Sequence, residues 1–180
     1  NKVWPEKYRR VKDATGKGLD NLGIRSFGTL PFERILASPT IGQVAQQLHA
    51  EVLCGQDRLA NRTGSIIVAA MEAHHMVGYL KDRALVITPG DRSDNLLAII
   101  STYMLQKEGH PPVSGIVLTG GFRPAEEVMS MIADSGLPAL LCAEDTYTLA
   151  AKLRAVVFKI TPDDKDRIEA AMCLVNEYVD

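Results

Sequence analysis

An α/β sandwich built on a mostly parallel sheet is the fold this sequence predicts. Three observations point there. From Thr40 onward, apolar runs of strand length alternate with helix-length segments. One of those runs, residues 65–70, is continuously apolar and bounded by Gly64, as strands covered on both faces are. The chain has 180 residues, 46% of them apolar, 23% charged and 6% aromatic, which excludes collagen-like, low-complexity and disordered classes. The length suits one domain with a flanking element, and a chain this size removes roughly 70% of its extended surface from water. Right-handed crossovers would place the strand C-termini at one edge of the sheet.

The elements follow in order. Residues 1–38 differ in composition from the rest and read as an N-terminal appendage; residues 39–180 read as the α/β domain. In the appendage, Gly16-Lys17-Gly18 reads as a breaker and residues 22–31 as an extended piece. Thr40-Ile41-Gly42-Gln43 forms a capping box, and Ile41, Val44, Ala45 and Leu48 then fall on one helical face. Residues 50–53 read as a short strand, 55–64 as a polar loop, 65–70 as a strand and 71–80 as a short helix. A strand over 83–88, a turn over 89–92 and a helix over 94–106 come next. After the strand at 114–119 and the Gly120-Gly121 turn, Pro124 suits the first helical position. Glu126 and Glu127 favour that helix's positive end, Val128, Met131 and Ile132 supply its buried stripe, and Gly136 ends it. Strands are expected over 138–142 and 155–160, with a helix over 147–153 between them. The last helix starts after Thr161-Pro162 and carries Ile168, Met172 and Val175 inward.

Charge narrows the partners. Twenty Lys and Arg against 22 Asp and Glu give a net charge of −2, without the basic excess of a nucleic-acid binder. The first twenty residues are locally basic and read as a solvated helix face, in which Trp4 and Tyr8 pack against a neighbour. Three dispersed cysteines, Cys54, Cys142 and Cys173, contain no C-x-x-C and suggest neither a disulfide framework nor a zinc knuckle. They read as reduced, buried thiols of a cytoplasmic protein. No apolar run approaches the roughly 20 residues of a membrane span, and no signal peptide is present, so no membrane partner is expected. A chain that begins with Asn1 rather than Met is expected to be a piece of something longer.

Chemistry is expected where three strand-to-helix turns meet: residues 88–92, 119–123 and 144–146. Each opens a helix and so offers unpaired N–H groups and a positive dipole end. Gly120 and Gly121 let a backbone approach a ligand closely, and Arg92 and Arg123 are forked donors for phosphate or carboxylate. The candidate binding residues are therefore Asp91, Arg92, Thr119, Gly120, Gly121, Arg123, Asp145 and Thr146, with a nucleotide or small anionic metabolite as ligand. The same residues have a plainer role, in which Asp91, Thr119 and Thr146 cap helices, the glycines permit tight turns and the arginines pair with loop carboxylates.

Catalytic signatures are missing. Gly16-Lys17-Gly18 mimics a phosphate loop, but Val11 stands where its first glycine belongs. Neither G-x-G-x-x-G nor G-x-S-x-G occurs. His49, His74, His75 and His110 lack zinc-hydrolase spacing, and adjacent His74 and His75 would point about 100° apart on a helix. Asp163, Asp164 and Asp166 belong in a helix first turn for dipole reasons. No catalytic residue, metal site or cofactor is expected.

These turn residues carry a family resemblance. Asp91-Arg92 after one strand and Thr119-Gly120-Gly121 after the next resemble the DRTGG domain. So do Pro39-Thr40-Ile41-Gly42-Gln43-Val44-Ala45, the residues leading into each turn and Asp145-Thr146-Tyr147-Thr148, so that the resemblance spans about 39–153. Residues 21–39 resemble the exit from the dethiobiotin-synthetase-like P-loop domain that precedes DRTGG in long bacterial phosphate acetyltransferases, and 160–180 resemble the helix leading out of DRTGG there. The resemblance implies a three-layer α/β/α sandwich similar to the N-terminal domain of HPr kinase/phosphorylase. It implies a regulatory and oligomerisation domain, a dimer, within a phosphotransacetylase-like parent of acetate metabolism. Any transferase activity would belong to that parent, whose acetyl-transfer domain nothing in 1–180 matches. The alternative is a sensor that binds its ligand at the Asp91/Thr119 edge. A small enzyme with an unrecognised site would need a nucleophile–base pair that sequence spacing does not reveal.

Overall fold

A computed structural model describes residues 1–105 and 111–179. Among them, in chain order, are helices α1 (Tyr8–Asn21), α2 (Arg34–Ala37) and α3 (Ile41–Leu48), then strands β1 (Glu51–Cys54) and β2 (Ser65–Val68). Next come α4 (Ala73–Val77), β3 (Ala84–Pro89), α5 (Ser93–Met104), β4 (Val113–Thr119) and α6 (Glu126–Ser135). The chain ends with β5 (Ala139–Leu141), α7 (Thr146–Ala155) and α8 (Lys165–Tyr178). They form two compact units, one of residues 38–158 and one of residues 1–37 with 159–180. Helix α8, expected in the sheet domain, therefore groups with the N-terminal residues. The predicted helix end at Gln106 and His110 lie outside the described residues.

The larger unit is a five-stranded sheet in the order β1-β5-β4-β3-β2. Strands β2, β3, β4 and β5 are parallel to their neighbours, and β1 runs antiparallel to β5. Three successive crossovers step the same way across the sheet, so right-handed connections put α4, α5 and α6 on one face. Met76, Leu96, Ile99, Ile100, Val128 and Ile132 form a core there with Ala84, Val86, Ile116 and Leu118. On the other face, Ile41, Val44 and Leu48 of α3 and Leu149 and Leu153 of α7 cover Leu85, Ile87, Val117 and Leu140. Alternate residues of β3 thus enter opposite cores, as the two-residue repeat of a strand requires. This is the expected three-layer α/β/α sandwich.

Local signals act where they were expected. Thr40 caps α3 by accepting from the Gln43 amide at 3.1 Å, while the Gln43 side chain accepts from the Thr40 amide at 3.1 Å. Gly136 ends α6 in the left-handed conformation, φ 68°. Other expectations fail for nonlocal reasons. Strand β2 is an edge strand, so its apolar run is covered incompletely and Ile66 is 39% exposed. Helix α6 begins at Glu126 with Ala125 as N-cap, two residues beyond Pro124, and Met131 is exposed. The apolar residues 156–160 form no strand, because α7 runs through Ala155 and no sheet neighbour takes them up; Val157 is 77% exposed.

In the smaller unit, Gly16-Lys17-Gly18 lies inside α1, so it neither breaks the helix nor makes a phosphate loop. Trp4 packs on Phe32 at 4.4 Å between ring centroids, and Tyr8 meets Tyr178 edge-on at 5.7 Å. Helix α8 buries Arg167, which donates to Asp164 at 3.1 Å and to the Leu36 carbonyl at 2.6 Å, whereas Met172 and Val175 are exposed. Of the expected apolar stripe, Ile168 is half-buried, while the fully buried side chain of α8 is the charged Arg167. Cys54 and Cys142 are buried, but Cys173 is exposed.

The capping box gives a measurable contribution. Thr40→Ala is expected to cost about 1 kcal/mol and lower Tm by about 3 °C, read by calorimetry. An unchanged Tm would show that α3 is held by packing alone.

Candidate functional site

The three predicted turns meet at the C-terminal rim of the parallel strands. Pro89 pairs with Thr119 at the ends of β3 and β4, and the Gly90 amide donates to the Thr119 carbonyl at 3.4 Å. A Cβ on Gly90 would lie 1.7 Å from the Phe122 carbonyl oxygen, so the first turn presses against the second with no side chain between them. The second turn joins the third through the amides of Gly120 and Gly121, which donate to the carbonyls of Glu144 (2.8 Å) and Cys142 (2.9 Å). Both glycines have positive φ, 78° and 69°, where side chains are strained. Their N–H groups, expected to be available to an anion, are therefore spent on holding the turns together.

The polar side chains pair within the rim. The Thr119 and Thr146 hydroxyls lie 2.7 Å apart, joining the end of β4 to the first turn of α7. Asp145 is the N-cap of α7, accepting from the Thr148 amide at 3.0 Å and from its hydroxyl at 2.6 Å, and these bonds hold its carboxyl below the usual range. Asp91 is exposed and does not cap α5, whose N-cap, Arg92, makes no side-chain cap bond. Arg92 instead grips Asp94 through two bonds of 2.9 and 2.8 Å. Arg123 grips Glu51, the first residue of β1, at 2.7 and 2.6 Å. Lys152 pairs with Glu144. The arginines thus hold carboxylates, as the plainer reading has it, and the partner of Arg123 lies 72 residues away in sequence.

Beneath the rim, burial pushes the Cys142 thiol up to about 11, with Glu144 adding to the effect, so it carries no thiolate at neutral pH. Thr88 and Asn95 are fully buried below the α5 turn; Asn95 donates to the Ala69 carbonyl at 3.1 Å. Two features had no sequence signal: Glu51 as a rim residue, and the exposed rings of Phe122 and Tyr147 beside the paired threonines. Both aromatic residues are visible in the sequence, but their exposure follows only from the turn geometry.

Outside the rim, His74 and His75 stack with centroids 3.9 Å apart rather than diverging. Among the described residues, no group of three His, Cys, Asp or Glu is placed to hold a metal ion, and no helix is long and apolar enough to cross a membrane. Two clefts, of about 180 and 450 Å³, lie in the smaller unit and are lined by none of the sequence-predicted binding residues.

Two measurements check this geometry. Gly90→Ala is expected to destabilise the larger unit by about 1–3 kcal/mol, because the Phe122 backbone must move, and denaturant unfolding reads it. The bonds from Arg92 pull the Asp94 carboxyl down to about 2 from an ordinary 3.8. The folded value lies below the unfolded one, so the pair's stabilisation is present above pH 3.8 and is lost as pH falls through about 2. Arg92→Gln should return the Asp94 midpoint toward 3.8 in an NMR titration; a midpoint already there in the unaltered protein would mean that the pair does not form in solution.

Comparison with known proteins agrees with these turns. The DRTGG domain family matches residues 43–156. The phosphate acetyltransferase of Nitratidesulfovibrio vulgaris is 35% identical over 154 residues, which are 84% of this chain and 22% of that protein. That of Synechocystis sp. is 30% identical over 158 residues, 85% of this chain and 22% of that protein. The chain therefore spans about a fifth of the length of these relatives. Among solved structures, the CBS and DRTGG domains of the regulatory region of Clostridium perfringens pyrophosphatase, complexed with the activator diadenosine tetraphosphate, share the fold. The TM-score is 0.55 at 19% identity, over 91% of this chain and 69% of that one. The matched residues make up more than half of the chain and include all three rim turns, and this chain belongs to the DRTGG domain family.

Proposed function

We propose that this chain is a non-catalytic regulatory and assembly module of a larger phosphate-acetyltransferase-like protein. The observation that carries the reading is how the rim is built. Its arginines and lysine each hold a carboxylate, its two threonine hydroxyls pair, its capping aspartate accepts from Thr148, and its thiol is held protonated. A hydroxyl nucleophile needs a base within hydrogen-bond reach, and the Thr119 and Thr146 hydroxyls face each other instead. The relatives named phosphate acetyltransferase support the parent, and the regulatory region of the pyrophosphatase supports the role. Assembly would proceed through a self-complementary face and give a dimer with twofold symmetry.

A second reading makes the rim a sensor for a nucleotide or small anionic metabolite. Arg92 and Arg123 favour it, since each already holds a carboxylate, Arg92 in a fork of Nε and Nη2 and Arg123 through Nη2 alone. Exposed ion pairs are worth about 0–1 kcal/mol, so a competing ligand displaces such a carboxylate at little cost.

A thermal-shift panel of nucleotides, acetyl phosphate, coenzyme A and pyruvate tests the sensor. A ligand at 100 times its Kd should add about 2.7 kcal/mol of stability, and a flat response across the panel removes this reading. Sedimentation tests assembly: a dimer mass is expected, and a monomer mass independent of concentration counts against it. Incubation with acetyl phosphate and coenzyme A should yield no acetyl-coenzyme A, and turnover would overturn the non-catalytic role.

A further inference from the structure

We infer that the turn after β4 is a nucleotide platform on which Phe122 stacks a base while Arg123 receives the phosphate. The inference rests on the sensor reading of the rim and names the chemical class of its ligand. Phe122 is 55% exposed, and one ring edge lies against Gly120, where an added Cβ would stand 2.8 Å from two ring carbons. The glycine thus leaves room for an aromatic ring that is seated on the turn yet accessible from solvent. The next residue, Arg123, already grips a planar oxyanion, the Glu51 carboxylate, at 2.6 and 2.7 Å. A nucleotide carries both complements in one molecule, a flat π face and a phosphate that a guanidinium can fork. Tyr147, 83% exposed and adjacent to Thr146, adds a second accessible aromatic ring to the same rim.

Local charge selects a nucleotide over a bare anion. Asp91, Glu144 and Asp145 are carboxylates on the three turns, and Glu51 and Asp94 already occupy the arginines. A free polyanion must displace a carboxylate in this acidic setting and gains little by it. Base stacking on an aromatic ring is unaffected by those charges and strengthens binding about fivefold or more.

Calorimetric titration of the full chain with ADP, inorganic pyrophosphate and adenosine tests the assignment. ADP is expected to bind at least about fivefold more tightly than pyrophosphate. Phe122→Leu should bring ADP down to the pyrophosphate level without changing pyrophosphate binding, Phe122→Trp should restore it, and Arg123→Gln should weaken both phosphorylated ligands. In the unaltered protein, ADP should shift the Phe122 ring protons upfield in NMR spectra, a readout that does not depend on whether the variants fold. Equal binding of ADP and pyrophosphate, an ADP preference that survives in folded Phe122→Leu, or unmoved Phe122 signals at saturating ADP would each overturn the platform while leaving an anion site. Failure of all three probes to bind would remove nucleotides from the sensor reading itself, and the platform with it.

Discussion

The close contact between Gly90 and the Phe122 carbonyl is the constraint on which the rim depends. It exists because β3 and β4 are parallel neighbours whose register ends with Pro89 opposite Thr119. Two turns that leave adjacent strands at the same level must occupy nearly the same space. One of them can do so only without a side chain. The second turn then leans on the third through two glycine amides, so three loops become one backbone-bonded surface. Loops usually owe their mobility to unpaired backbone and few neighbours. Here the backbone is paired, which makes the surface a fixed stage for the side chains around it.

Much of the sandwich was legible from local chemistry. The Thr40 box, the glycine stop after α6 and the apolar cores of β3 and β4 are written in adjacent residues and depend little on the rest of the chain. What was not legible depends on sheet order. Residues 65–70 and 114–119 look alike as sequence, yet one run forms an edge strand and the other a strand covered on both faces. Residues 156–160 are apolar enough for a strand but find no neighbour to pair with. In α8, helical periodicity pointed to Met172 and Val175, whereas the buried position belongs to Arg167, paired with Asp164 just before the helix, a side chain that hydropathy counts as surface.

The rim divides in the same way. Which loops would converge followed from the alternation of strands and helices, because parallel strands bring their ends together. The carboxylates that the arginines hold did not follow. Asp94 is two residues from Arg92, but Glu51 reaches Arg123 only after the whole sheet has assembled. The pairing of Thr119 with Thr146 likewise joins two turns whose individual sequences suggest separate caps. Distances along the chain therefore predicted the neighbourhood of the rim and left its wiring open.

That wiring traces back to the polarity of a single strand. Because β1 runs against β5, Glu51 pairs with Leu141 and the strand's starting residue, not its last, arrives beside Arg123. A parallel β1 would carry the same glutamate about 10 Å toward the opposite pole, at roughly 3.3 Å per residue. Reversing an outermost ribbon thus chooses which terminus of that ribbon supplies the counter-ion. In this molecule, chain direction governs the electrostatics of a surface that β1 itself does little to shape.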